Sequence, residues 1–458
     1  MRSEPERPRG RASDWDAALF VWVAWTAALL AALRLSYSGR KYPFTDDWSL
    51  VPYLTGEWPV TLSWLWAQWG AHRIPAVKLV FLSLYNGLTG YDFRNGVIFN
   101  VVALAALAAA MILTARRLRG RTAYSDAFFP LALLQWGLTA IWWSFSVHYV
   151  SWMIVTTSFL LIIIRCEGQV NVRCALLGSV CLLLLPMLGT IGVVLVPSLA
   201  AWLLLLSALE WRTENGNRRG AVLAALGGAG SLGLALAYLV GLNLDSGYRA
   251  ADLTAALRYA VKFLSAAFVH AFSGFRRAPW QLIMPCLILA SLGGLYRVMR
   301  TGGSERRRGI GLLLFLAAMG SLALAVGVGR GAREWEAGVL DHYGILAAPL
   351  LIWVYFIWSL YYGSQPVGRF VQMSLLVMMC VVYTLNVGVE PFQMRIQYAQ
   401  QRFEEDVRAG MPAELLAERH RELFWWHVNI EEGKAQVAEG MKMLRKAGAA
   451  PFRSIRED

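Results

Sequence analysis

The sequence predicts an all-α fold: a polytopic bundle of transmembrane helices with juxtamembrane helices on one face and a helical C-terminal tail. Three observations predict it. Of 458 residues, 57% are hydrophobic and only 16% charged, with a mean hydropathy of +0.46, whereas soluble domains carry about a quarter charged residues. Apolar runs repeatedly reach the ~20 residues that cross a bilayer as a helix. Basic residues collect in short segments between those runs, the distribution of cytoplasmic loops. That distribution also accounts for the net charge of +13, so nucleic acid is not an expected partner.

Taken in order, the chain begins with a basic, polar stretch, Met1 to Asp16, without an evident cleavable signal. Arg2, Arg7, Arg9 and Arg11 assign it to the cytoplasm, and the first span covers 17–36. The loop that follows is therefore outside. Within it, Leu62, Leu65, Trp66 and Trp69 recur at helical spacing, which suits a helix lying in the headgroup layer. The apolar run 74–89 is short. If it crossed, the four arginines of Arg116-Arg117-Leu118-Arg119-Gly120-Arg121 after the span 94–115 would fall outside. It is expected to stay on the outer face or re-enter, so the first outer loop runs over 37–93.

Further spans are expected at 126–146, 149–165, 172–188, 190–209 and 220–242, with Arg165, Arg173, Arg212, Arg218 and Arg219 at inner ends. Gly227, Gly228, Gly230 and Gly233 in the last of these permit close helix packing. The segment 243–278 is read as a second outer segment. Counting Leu253 to Phe275 as a span would put Arg297, Arg300, Arg306, Arg307 and Arg308 outside. Spans at 280–298, 310–328, 344–362 and 370–389 bring the count to about eleven and leave the C-terminus outside. The predicted division is thus a transmembrane domain over 1–389 and a charged outer tail over 390–458. In the tail Leu423, Trp426, Ile430, Val437, Met441 and Leu444 recur at roughly helical spacing, so it should pack amphipathic helices against the outer loops. Cys166, Cys174, Cys181, Cys286 and Cys380 lie in or beside apolar runs and read as packing residues, with no disulfide framework.

The stretch Tyr42-Pro43-Phe44-Thr45-Asp46-Asp47-Trp48 stands directly after the first span. Acidic groups beside a bilayer require water, partners or a function. Asp46 and Asp47 are the candidate catalytic carboxylates. Thr45 also reads as an N-cap with both aspartates in the first turn of a helix. In this topology all six histidines, His72, His148, His270, His342, His420 and His427, are outside. So are Arg73, Arg249, Arg276, Arg277, Arg330 and Arg333, against the usual bias. Excess cation on that side suits an anionic substrate such as a lipid phosphate. Snorkelling and loop ion pairs, such as Arg333 with Glu334 or Glu336, are the bland alternative. His72, Arg73, Arg330 and Arg333 are the candidate phosphate ligands. Trp48 and the third outer loop, 329–343, with Asp341, His342 and Tyr343, are candidate substrate contacts. No H-E-x-x-H or comparable spacing points to a resident metal. No cofactor is expected, a divalent ion being the one addition that outward histidines and aspartates would permit.

An inside N-terminus, one span, an Asp-Asp pair immediately outside it and surface helices before the next span resemble the C-type (GT-C) membrane glycosyltransferases. Asp46-Asp47-Trp48 followed by His72-Arg73-Ile74-Pro75 is similar to uncharacterised bacterial members. These read acidic-His-Arg-Ile there, and Gly-Arg followed by Ser-Arg-Tyr in a late outer loop. This chain has Ala71 at the acidic position, and Gly329-Arg330 followed by Asp341-His342-Tyr343. The resemblance implies an inverting transferase in a bacterial inner membrane, moving a sugar from a polyprenyl-phosphate donor to a glycan, lipid or protein acceptor on the outer face. One aspartate would be the general base and the other would position or cap. Arg330, Arg333, His72 or Arg73 would stabilise the leaving phosphate. A transporter or flippase of a lipid-linked substrate is the alternative, and would place ionisable residues at mid-membrane. A non-catalytic assembly subunit, with the acidic pair as a cap only, is a third reading.

Overall fold

The computed structural model describes residues 11–85, 90–214, 216–243, 249–268, 280–300, 302–331, 343–386, 390–424 and 430–456. Among its described residues helices are the regular structure, joined by turns and coil, with no strand and one isolated antiparallel bridge between Trp69 and His72. Nine described helices are long and apolar enough to cross a membrane, which makes the chain a multi-pass α-helical membrane protein.

Helix α1 (Arg11–Tyr37) is peripheral and leads into a 3-10 turn, Thr45–Leu50, and the short α2 (Val51–Leu54), α3 (Leu62–Trp66) and α4 (Pro75–Leu84). Then come α5 (Arg94–Arg119), α6 (Phe128–Leu133), α7 (Val147–Arg165), α8 (Val172–Met187), α9 (Thr190–Arg212) and α10 (Arg218–Leu239). The amphipathic α11 (Leu253–Leu264) precedes α12 (Trp280–Met299), α13 (Gly303–Arg330), α14 (Tyr343–Tyr362) and α15 (Pro366–Asn386). The tail forms α16 (Glu390–Arg408), α17 (Ala413–Arg419), α18 (Arg421–Phe424) and α19 (Ile430–Lys446). Helix α14 is apolar all round and buried from Tyr343 to Ser359, so it is the axis of the bundle. Helix α10 lies close on α8, where Gly227 faces Ser179 with no room for a Cβ.

Two of the eleven expected spans differ from that expectation. The run 172–188 is a single helix of 16 residues, below ordinary spanning length. The run 126–146, expected as one helix, is broken: α6 ends at Leu133, and only isolated 3-10 turns precede α7. Side chains explain the break. Gln135 accepts a hydrogen bond from Asn386 Nδ2 at 2.8 Å and donates to the Ala267 carbonyl at 3.3 Å. The Asn386 amide lies so close to Gly137 that a Cβ there would clash. The Asn100 amide takes the Ala140 carbonyl at 3.2 Å. Non-helical backbone at this depth is tolerated because protein surrounds it and side chains bind its polar groups.

The arginine-bearing helix ends gather at one end of the bundle. Arg165 donates to Thr114 Oγ1 at 2.9 Å, and Arg307 pairs with Glu210 at 3.5 Å. Arg119 pairs with Asp126, which also accepts from the Tyr355 hydroxyl. At this basic end Cys166 and Cys174 form a disulfide, which corrects the reading of all five cysteines as packing residues. The turn between α7 and α8 brings their Cα atoms to 6.2 Å, within bridging range. Cys181, Cys286 and Cys380 are free.

The opposite end carries the 3-10 turn and the tail. A second apolar core forms there from Tyr42, Trp48 and Val51 with Phe403, Leu416, Phe424, Met441, Leu444 and Phe452 of the tail. Polar contacts reinforce it. Lys41 donates its backbone N–H to Gln400 Oε1 at 2.8 Å, and Arg40 donates to the Leu423 carbonyl at 2.9 Å.

Candidate functional site

The acidic turn is built by Asp47. Its Oδ2 accepts the backbone N–H of Phe44 at 3.1 Å, and its Oδ1 accepts the Ser144 hydroxyl at 2.7 Å. Phe44 is therefore the N-cap residue, and the expected N-cap Thr45 is the first residue of the turn. Thr45 has φ +48, a left-handed conformation that a β-branched side chain rarely adopts. Asp47 is fully buried, and burial pushes its carboxyl up to about 8, opposed by the hydrogen bonds from Ser144 and Phe44. Burial likewise lowers Arg40 to about 9, with Asp47 acting in the other direction. The Arg40 guanidinium lies 3.6 Å over the Phe44 ring. Asp47 thus ties the turn to the broken segment before α7.

Asp46 differs in both respects. Its side chain is exposed, yet protein encloses it on most sides, and this desolvation raises its carboxyl. Asp46, Arg330 and Tyr343 all lie within electrostatic reach of the Tyr149 hydroxyl. Four elements meet there: the 3-10 turn, α7, the last residue of α13 and the first of α14. The end of α13 is steadied by Ala250, whose N–H donates to the Val328 carbonyl at 2.8 Å. Tyr343 packs edge-on to Phe263 of α11 at 6.1 Å.

His72 is tied to Trp69 by the isolated bridge, with backbone bonds of 2.6 and 2.9 Å. Its ring lies 5.6 Å from that of His148, which stacks on Tyr149 at 5.0 Å. His72 therefore borders the site through two aromatic rings. Arg73 does not reach it. Its guanidinium donates to the Tyr238 carbonyl at 3.2 Å and the Val240 carbonyl at 2.9 Å, closing the C-terminal end of α10. These bonds occupy the guanidinium expected to contact a phosphate. Trp48, an expected substrate contact, has its ring buried against Phe424 at 5.4 Å and Phe452 at 6.5 Å, because the tail folds over it. Arg333, Asp341 and His342 lie outside the described residues.

Sequence reasoning did not single out Arg40, Ser144 or Tyr149 as functional. Arg40 carried a signal, as a further arginine in the loop that the sequence assigns to the outside. Tyr149 carried little, since an aromatic beside Trp142, Trp143 and His148 reads as an interfacial belt.

Asp46, a carboxylate of raised proton affinity, and the Arg330 and Tyr343 side chains all act electrostatically on Tyr149, so a proton acceptor and anion-binding groups occupy the same end of the bundle. Among the described residues no group of three or more His, Cys, Asp or Glu side chains is placed to hold a metal ion. Lys78 of α4 ties down the end of α3, donating to the Trp64 and Ala67 carbonyls at 2.6 and 3.0 Å. Comparison with known proteins returns no matching family model, no similar curated protein and no similar solved structure.

Proposed function

We propose that the protein is a membrane glycosyltransferase that moves a sugar from a polyprenyl-phosphate donor to an acceptor hydroxyl at the Asp46 end of the bundle. The observation that carries this reading is the accessible, desolvated Asp46 carboxylate at the end of the bundle where Arg330 and Tyr343 also act electrostatically on Tyr149. Asp46 serves as the general base, since it is the accessible carboxylate of the pair and its raised proton affinity strengthens it once ionised. Asp47 positions the turn and does not touch the acceptor. Arg330, with the Tyr149 and Tyr343 hydroxyls, stabilises the departing lipid phosphate by charge-assisted hydrogen bonds. Attack opposite the phosphate inverts the anomeric centre. The positive-inside bias supports an outer location for this end, in a bacterial inner membrane, with the tail outside. The chemistry assigned to these side chains includes no step at a resident cofactor.

The test uses the full chain in nanodiscs, a panel of radiolabelled polyprenyl-phosphate sugars and membrane extract as acceptor. Asp46→Asn should lower transfer by about 10²–10⁴-fold, the usual share of a general base, while donor binding persists. Equal transfer in wild type and Asp46→Asn would remove the base from the proposal.

The broken crossing between α6 and α7 favours a second reading, transport of a lipid-linked substrate, because interrupted helices accompany transport sites. Its buried Asp126–Arg119 pair lies at the basic end, away from the middle of the bundle. Donor scrambling across proteoliposome leaflets, without sugar transfer, would favour this reading over the enzyme.

A further inference from the structure

The basic end contains a cleft of about 220 Å³ between the start of α1, the 119–125 link and the turn joining α14 to α15. Arg119, Arg121 and Arg369 contribute to its wall, together with Asp14. Arg119 is engaged by Asp126 and by the Ser359 hydroxyl at 3.1 Å. Arg369 gives one hydrogen bond to the Ser364 carbonyl at 3.2 Å. Among the described residues Arg121 makes no ion pair, and both Arg121 and Arg369 are exposed. Two further lining residues hold unmatched polar atoms. Thr122 Oγ1 and Gln372 Nε2 have no hydrogen-bond partner, although Thr122 is only 4% exposed and Gln372 only 2%. Buried polar atoms of this kind ordinarily find partners, since an unmet donor costs about 1–3 kcal/mol. The Gln372 carbonyl oxygen already faces the Ser125 hydroxyl at 3.4 Å, which turns the NH₂ group the other way.

The mouth of the cleft is apolar. Tyr124 and Met373 line it and are 44% and 42% exposed, and Tyr124 packs edge-on to Phe20 on the outward face of α1. Phe370, on the first turn of α15, points outward as well. Arginine forks, hydroxyl and amide donors behind them, and an apolar rim that continues onto the outward surface match one ligand chemistry. It is a phosphate group bearing acyl chains.

We propose that this cleft binds the phosphodiester headgroup of a membrane phospholipid, with Arg121 and Arg369 holding the phosphate and Thr122 and Gln372 supplying further hydrogen bonds. The site is at the opposite end of the bundle from Asp46 and does not depend on the transferase reading. Among the described lining residues the one carboxylate, Asp14, sets the preference. Two arginines left unneutralised against one aspartate suit a headgroup with one phosphate, either alone or paired with an ammonium. A multiply phosphorylated headgroup does not match this balance.

The full chain, delipidated in detergent, would be examined by native mass spectrometry with phosphatidylglycerol, phosphatidylethanolamine or phosphatidylcholine, and by thermal unfolding with inorganic phosphate. Wild type should retain one phosphatidylglycerol or phosphatidylethanolamine more tightly than bulk lipid. Arg121→Ala/Arg369→Ala should weaken that retention at least tenfold, Arg121→Lys/Arg369→Lys should keep part of it, and Gln372→Leu should weaken it while the protein stays folded. Equal retention in wild type and the double alanine variant overturns the proposal. Stabilisation by inorganic phosphate with no lipid retained overturns the assignment to a lipid.

Discussion

Two neighbouring aspartates have opposite fates because of one residue's difference in position along a 3-10 turn. Asp47 points inward and spends both oxygens on Ser144 and Phe44, whereas the Asp46 side chain is exposed and within electrostatic reach of Tyr149. Asp47 carries a pH signature. Its carboxyl, raised to about 8 by burial, binds a proton more tightly in the fold than in the unfolded chain, where 3.8 applies. That contribution is therefore full below about 4 and is lost as pH rises through about 8. In detergent the unfolding free energy of wild type should fall across this window, at most by about 1.4 kcal/mol per pH unit, and the melting temperature should fall with it. Asp47→Asn should flatten the slope, and an unchanged slope would show that Asp47 does not titrate there. Thr45 is the neighbouring test. Its positive φ stores strain of order 1–3 kcal/mol, so Thr45→Gly should leave stability unchanged or raise it by about 1 kcal/mol, Gly's own flexibility offsetting part of the gain. A loss on thermal unfolding would mean that the Thr45 side chain holds the turn.

At the scale of elements, the broken crossing depends on the Gln135–Asn386 pair. Gln135→Ala removes the acceptor from a buried amide and the donor from the Ala267 carbonyl. The expected cost is about 1–3 kcal/mol for groups left unsatisfied. A double-mutant cycle with Asn386→Ala should return a coupling of about 0.5–3 kcal/mol; additivity within error would dissociate the two. The break was not legible in the sequence because hydropathy measures burial, and a buried coil is as apolar as a buried helix. Only the partners of Gln135, Asn100 and Gly137, which are distant in sequence, explain why the helix stops. The Cys166–Cys174 pair was illegible for a related reason. Its bridging distance depends on how α7 and α8 turn, and spacing in the chain does not report that.

At the scale of the whole molecule the described apolar side chains form two cores. The apolar bundle forms the first, and the tail closes over Tyr42, Trp48 and Val51 to form the second. Trp48→Ala should cost about 3–5 kcal/mol of that packing, loosening the tail while the bundle keeps its helices. Hydrogen exchange should then rise over 390–456 and in the 40–55 loop, with α5, α7 and α14 unchanged. Equal protection in wild type and variant would show that the tail does not rely on this ring. Through Trp48 the tail also steadies the turn that presents Asp46, so the same variant should lower activity in the transfer assay without altering the carboxylate itself.

The sequence by itself determined the class of the molecule: a multi-pass helical membrane protein, one end basic, with an acidic pair just beyond its first helix. These features are local. A span needs only enough consecutive apolar residues, and a basic end only a run of arginines, so both are written in single stretches of chain. The tertiary structure decided the rest. It separated Asp46 from Asp47, turned Arg73 onto backbone carbonyls, buried Trp48 under the tail, and brought Asp46, Arg330 and Tyr343 within electrostatic reach of Tyr149. Those roles depend on which residues from distant parts of the chain become neighbours. That is a property of packing, and no periodicity within a segment encodes it.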